Sequence, residues 1–241
     1  MEFEYTVDTV LDGAVKIFQP VNGFRFGTDS ILLAKFVGKK RCQRVLEIGA
    51  GSGVISAILK KAYGFKSIDA VEYQENMYNC LVKTVNENGF DGSINPILSD
   101  IRNFKPKWHY DLIVSNPPYR KCSTGKICTE ETKNIARFSG ELTIDDILNF
   151  GKSYLKTLGF LILSLDADMS NEIFSKVAHY NLEIKRLRFL HPDIDKPAKI
   201  IFVELRKNAG RELKVEPPFF QRINGHINKN YDRIGYEDFD H

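Results

Sequence analysis

The chain has 241 residues, with 34 Lys and Arg against 31 Asp and Glu, 43% apolar residues and 27% charged ones, the composition of an ordinary globular protein. One α/β domain of this length buries most of its apolar surface without staples, and four scattered cysteines with no C-x-x-C pair exclude a disulfide framework and a zinc ribbon. No run of about 18 apolar residues occurs and no basic start leads into an apolar stretch, so neither a membrane span nor a secretory signal is predicted and a cytoplasmic location is expected.

In chain order, residues 1–43 read as a β-rich and helical cap, Thr6 to Gln19 followed by a helix from Thr28 to Val37. From residue 44 onward, short β-branched runs alternate with longer helical periodicities, the signature of a mostly parallel sheet with crossover helices. Strands are expected at Arg44–Ile48, Ser67–Glu72, Ser93–Leu98, Tyr110–Ser115, Phe160–Asp166, Glu183–Leu190 and Lys199–Leu205, and helices at Val54–Ala62, Gln74–Asn88, Ile144–Thr157 and Ser170–His179. Gly89 suits a C-cap, and Thr143 followed by Asp146 suits a capped start. Only a turn-rich His191-Pro192-Asp193-Ile194-Asp195-Lys196-Pro197 separates the last two strands, so an antiparallel ending is expected. The expectation is thus an α/β seven-stranded, mostly parallel sheet with one reversed edge and helices on both faces, the cap 1–43 belonging to the same domain as the core 44–241. Residues Cys122 to Ser139 are polar with little periodicity and are expected to form a long loop that orders with substrate.

Two constellations carry chemistry. Val45-Leu46-Glu47-Ile48-Gly49-Ala50-Gly51-Ser52-Gly53 runs from a strand through closely spaced glycines into a helix, so a ligand can approach the backbone and the helix N-terminus. Glu47 sits in that first strand, and Glu72 ends the next, where its carboxylate could hold two ribose hydroxyls. A nicotinamide dinucleotide site predicts a similar pattern, but with G-x-G-x-x-G, whereas this turn is G-x-G-x-G. The second constellation, Asn116-Pro117-Pro118-Tyr119, follows a strand directly. Two prolines fix the backbone and remove two N–H donors, so the loop presents acceptors, which suit a planar amine. Such an amine could donate to the Asn116 side-chain oxygen and the Pro117 carbonyl while the Tyr119 ring stacks on the attached base.

Together the motifs resemble the class I S-adenosylmethionine-dependent methyltransferases, a Rossmann-like fold. Gly23-Phe24-Arg25-Phe26-Gly27-Thr28-Asp29-Ser30-Ile31-Leu32-Leu33-Ala34 is similar to the signature of the bacterial tRNA1(Val) (adenine-37-N6)-methyltransferase family. So are Ala136-Arg137, His191-Pro192 with Pro197-Ala198, and Pro217-Pro218. The sequence departs from that family at Phe138-Ser139-Gly140-Glu141 and at Arg120. The resemblance implies S-adenosyl-L-methionine as cofactor, with Gly49, Gly51 and Gly53 against its methionine end, Glu47 nearby and Glu72 on the ribose. Asp100 would accept from the cofactor's adenine amino group, and Phe26 and Thr28 would close over the methionine portion. It also implies N6-methylation of an adenine in the tRNA anticodon loop, with Asn116, Pro117, Pro118 and Tyr119 at the target base. No strong base is required, since N6 becomes acidic as the methyl arrives, and none of the five histidines and no metal is assigned a role.

From Arg102 to Arg137 there are eight basic residues against three acidic ones, a local excess suited to phosphates. Arg102, Arg120, Lys121, Lys126, Lys133 and Arg137 are the expected contacts to an anticodon stem-loop. The alternatives are a protein-glutamine N5-methyltransferase acting on release factors, a DNA adenine methyltransferase, and a non-catalytic cofactor- or RNA-binding protein of the same fold. The first usually carries a helical domain ahead of the core, for which 43 residues are too few, and the second a sizeable recognition insertion. A binding-only module has no need of two fixed acceptors. Oligomeric state is not legible.

Overall fold

In a computed structural model, which describes residues 4–22, 25–117 and 142–228, the central strands are nearly continuous apolar runs. β3 (Val45–Ile48) is buried at all four positions, and β6 (Tyr110–Ser115) and β7 (Leu155–Asp166) bury most of theirs, as strands covered on both faces do. With β4 (Ile68–Glu72), β5 (Ile94–Leu98), β8 (Leu182–His191) and β9 (Ile200–Lys207), they form a sheet in the order β8-β9-β7-β6-β3-β4-β5. β7, β6, β3, β4 and β5 are mutually parallel. Alternation within each strand feeds two cores. Val45, Leu112 and Val114 face α1 (Thr28–Val37), α2 (Val54–Tyr63) and α3 (Glu75–Glu87), while Leu46, Ile48 and Ile113 face α4 (Ile144–Tyr154) and α5 (Ser170–Lys176).

The reversed strand, β9, is antiparallel to both β7 and β8, so it lies inside the sheet and not at its edge. Two two-residue strands, β10 (Lys214–Val215) and β11 (Phe219–Phe220), add to the outer side of β8 in parallel and bring the sheet to nine strands. β7 starts at Leu155 and not at Phe160, because α4 stops at Tyr154 and Leu155 already pairs with Tyr110 before the register shifts. α4 begins with the expected capping box between Thr143 and Asp146.

The N-terminal hairpin of β1 (Tyr5–Val10) and β2 (Val15–Pro20) lies on α3. The Phe18 amide donates to Thr84 Oγ1 at 3.1 Å, the Lys16 amide donates to Asn88 Oδ1 at 2.9 Å, and Val15 and Ile17 are fully buried. Among the described residues no helix is long and apolar enough to cross a membrane. The strand order reverses between β3 and β6, which are neighbours running the same way. Open α/β sheets take their ligands at such a point, beyond the strands' C-terminal ends.

Candidate active site

The turn after β3 is held open by its own backbone. Gly49 and Gly51 take φ of 68° and 55°, a region in which a side chain is disfavoured. The Gly49 and Ala50 amides both donate to the Val71 carbonyl at the end of β4, at 2.9 and 3.0 Å. A Cβ placed on Gly49 would meet nothing within 4 Å, so the backbone there faces open space. Gly53 differs: its φ is 84°, and a Cβ would sit 2.5 Å from Leu81 Cδ1. It is the close approach of α2 to α3 that requires this glycine.

Two buried acidic side chains brace the turn. Glu72 accepts from the Gly51 amide at 2.8 Å on one oxygen and from the Tyr73 and Gln74 amides at 2.9 and 2.8 Å on the other. It thereby ties the glycine turn to the start of α3, while the oxygen facing Gly51 keeps one further lone pair. Glu47, 1% exposed, accepts from the Ser56 amide at 2.9 Å and from the Ser56 hydroxyl in the first turn of α2. Burial pushes its carboxyl from the ordinary 4.5 up to about 8, against the pull of the Ser56 bonds and helped by the nearby Glu72.

Asn116 follows β6 directly. Its carboxamide nitrogen donates to Asp29 Oδ2 at 2.7 Å and to Ser30 Oγ at 2.9 Å, and Ser115 Oγ donates to the Ile48 carbonyl at 2.8 Å, pinning the ends of β6 and β3 together. Pro117 behind it is buried. The segment bearing Asp29 is itself fixed by the hairpin: buried Gln19 accepts from the Phe26 amide at 2.9 Å and donates to Asp8, which also receives Arg25. The result is a crevice lined by Phe26, Ser30, Glu47, Gly49, Gly51 and Asn116, with Met77 and the first residues of α2.

Thr28, Gly53, Glu72 and Asp100 stand outside this lining. Thr28 heads α1, Glu72 lies behind Gly51, and Asp100 follows β5. Asp100 is engaged by Arg102, whose backbone amide and Nε each donate to it at 2.9 Å. These bonds hold the Asp100 carboxyl below the usual carboxylate range. Arg102, expected to reach RNA phosphates, is thus committed in this structure to the Asp100 carboxylate after β5. Pro118, Tyr119, Arg120, Lys121, Lys126, Lys133 and Arg137, and the expected loop from Cys122 to Ser139, lie outside the described residues. Met77 and Tyr73 are not singled out by sequence, and Asp29 and Ser30 enter the sequence reading only as members of the Gly23–Ala34 signature, with no site role. Tyr73, 61% exposed beside Glu72, had one signal, a large aromatic directly after an acid that ends a strand.

The donor set fits S-adenosylmethionine. The crevice offers bare glycine backbone, the Glu72 carboxylate behind it and, among the described residues, no Lys or Arg in its lining, a surrounding suited to a sulfonium and an ammonium. Among the described residues no group of three or more His, Cys, Asp or Glu is arranged to hold a metal. Sheet order, glycine turn and crevice define a class I S-adenosylmethionine-dependent methyltransferase.

Comparison with known proteins agrees. Residues 24–150 match the family model of the methyltransferase small domain. The chain is 30% identical to the tRNA1(Val) (adenine(37)-N6)-methyltransferase of Pedobacter heparinus over 173 residues, 72% of this chain and 73% of that one. It is 28% identical to the protein of the same name from Yersinia enterocolitica over 189 residues, 77% and 74% of the two chains. Among solved structures, M. jannaschii TYW2 in complex with AdoMet superposes with a TM-score of 0.57 at 14% identity, over 86% of this chain and 88% of that one, a likeness of fold. The chain belongs to the tRNA1(Val) (adenine(37)-N6)-methyltransferase family, within the small-domain methyltransferases.

Proposed function

We propose that this protein methylates N6 of adenine 37 in the anticodon loop of a tRNA1(Val)-type tRNA, in the cytoplasm, from S-adenosylmethionine. The observation that carries the reading is the Asn116 carboxamide, fixed at the C-terminal end of β6 with its nitrogen already used. Among the described residues nothing donates to its oxygen, which leaves an acceptor beside the crevice for an exocyclic amine. The Pro117 carbonyl supplies a second acceptor, and Pro118 and Tyr119 complete the motif that would hold and stack the base.

Gly49, Gly51, Glu47 and Phe26 would hold the cofactor's methionine end, Glu72 its ribose, and Asp100 its adenine, with Thr28 and Gly53 shaping the rim and the helix start. When bound, the cofactor would supply a sulfonium-activated methyl, to which N6 would bond as the C–S bond breaks with its electrons staying on sulfur, one N6 proton then passing to water. The protein's part is position and polarisation. Taking both N6 hydrogens at Asn116 and Pro117 favours a more tetrahedral nitrogen, an interaction that strengthens as positive charge builds there. Arg120, Lys121, Lys126, Lys133 and Arg137 would hold the anticodon-stem phosphates, with Arg102 after β5. A loop adenine leaves its stack at smaller cost than one in a duplex.

The test is transfer of labelled methyl from S-adenosylmethionine into tRNA that lacks the modification, followed by nucleoside analysis. N6-methyladenosine at position 37 is expected, with Asn116→Ala inactive and its cofactor affinity within a few-fold of the parent. Label on a release-factor glutamine and none on tRNA would overturn the substrate.

A further inference from the structure

We propose that Asp29 is a positioning residue for methyl transfer: its carboxylate locks the Asn116 carboxamide in the one orientation that turns the oxygen toward the target amine. The inference deepens the function proposed above and rests on it. A carboxamide has nearly the same shape after a half-turn about its last bond, so the partners alone decide which end faces the substrate. Of the two partners, Ser30 is indifferent, since a hydroxyl accepts or donates. Asp29 is not. An ionised carboxylate only accepts, so at 2.7 Å it tolerates the amide nitrogen and repels the amide oxygen. Without it the carboxamide could present N–H groups to an amine that itself offers only hydrogens, and the acceptor would be lost for that fraction of molecules.

The surroundings place this carboxylate by design of the local chain. Asp29 lies in the first turn of α1, whose Leu32, Leu33 and Phe36 are buried at 2% exposure or less, so the helix cannot drift. A Cβ on Gly27 would collide with Asp29 Oδ1, so the bare glycine gives the carboxylate its room. A charge-assisted bond is roughly twice as strong as a neutral one, and the negative charge at the nitrogen end of the amide enriches its oxygen in turn. That oxygen meets N–H groups that become more acidic as N6 bonds to the methyl carbon. The effect therefore falls on the transition state more than on binding.

The experiment compares Asp29→Ala and Asp29→Asn with the parent in steady-state transfer to unmodified tRNA, with cofactor affinity measured by calorimetry. Asp29→Ala is expected to lower kcat by about 10- to 100-fold, the size of effect that small misplacements bring, while KM for tRNA and cofactor affinity stay within about threefold. Asp29→Asn keeps an acceptor but no charge and is expected to fall between, a partial rescue that a purely structural role would not give. Independently of substrate, the Asn116 side-chain amide resonances, assigned by their loss in Asn116→Ala, are expected to shift in both Asp29 variants. A kcat within twofold of the parent in Asp29→Ala, or Asn116 resonances unmoved in both variants, overturns the proposal. A parent enzyme inert on tRNA overturns the substrate instead, and the resonances still decide whether Asp29 orients the amide.

Discussion

Glu47 is the side chain of the crevice whose charge state changes near neutral pH. Its carboxyl is raised to about 8 by burial, so between the ordinary value and about 8 the folded protein holds a proton that the unfolded chain has lost. Stability contributed at this position is full below the unfolded value and falls as pH rises through the window. Glu47→Gln keeps an acceptor for the Ser56 amide and does not ionise. Its stability relative to the parent should rise by roughly 1.4 kcal/mol per pH unit across that window and level off above it. Thermal denaturation of the two proteins from about pH 5 to pH 9 checks this, and parallel curves would show that the buried carboxyl ionises normally.

The glycine turn shows how one element serves both fold and ligand. Gly49 and Gly53 each have positive φ, so an alanine at either costs about 1–2 kcal/mol in backbone conformation. Gly53→Ala also drives a methyl to 2.5 Å from Leu81 between α2 and α3, whereas a methyl on Gly49 enters open crevice. Gly53→Ala is therefore expected to be the less stable in urea, and Gly49→Ala to lose more cofactor affinity for its smaller stability loss; the reverse ranking would contradict the division of roles. The same local chemistry explains which elements could be read from sequence. The helix of α1 was expected at the residues where it occurs, and β3, α2, β4 and β6 within a residue at their ends, because glycine turns and buried apolar runs mark them. The sequence alone starts β7 five residues late because Lys156 and Thr157 continue the helical pattern of α4, yet pairing of Leu155 with Tyr110 wins. β10 and β11 left no trace: each is two residues long, and it is the open edge of β8, not their own sequence, that makes them strands.

Across the whole molecule, contiguous motifs were legible and long-range pairings were not. Gly49 to Gly53 and Asn116-Pro117 carry their meaning in adjacent residues, while the Asn116–Asp29 bond joins positions 87 apart in the chain. The excess of positive charge from Arg102 to Arg137 is likewise split by the topology. Arg102 lies at the crevice end of the sheet, but the chain then descends to the opposite end, where β6 begins, and there Arg44 stacks over Trp108 at 4.1 Å. Lys105 and Lys107, exposed on that descent, stand away from the crevice, so their charge cannot reach an anticodon loop bound at Asn116 through more than a screened field. Lys107→Glu is expected to leave KM for tRNA within about twofold and the salt dependence of binding unchanged. Arg120→Glu, beside the amine-binding motif in sequence, is expected to raise KM severalfold and to reduce the slope of log affinity against log salt by roughly 0.7–0.9 for the phosphate contact removed. Equal losses in the two variants would place the RNA along the side of the sheet, with its stem running from the crevice toward Trp108.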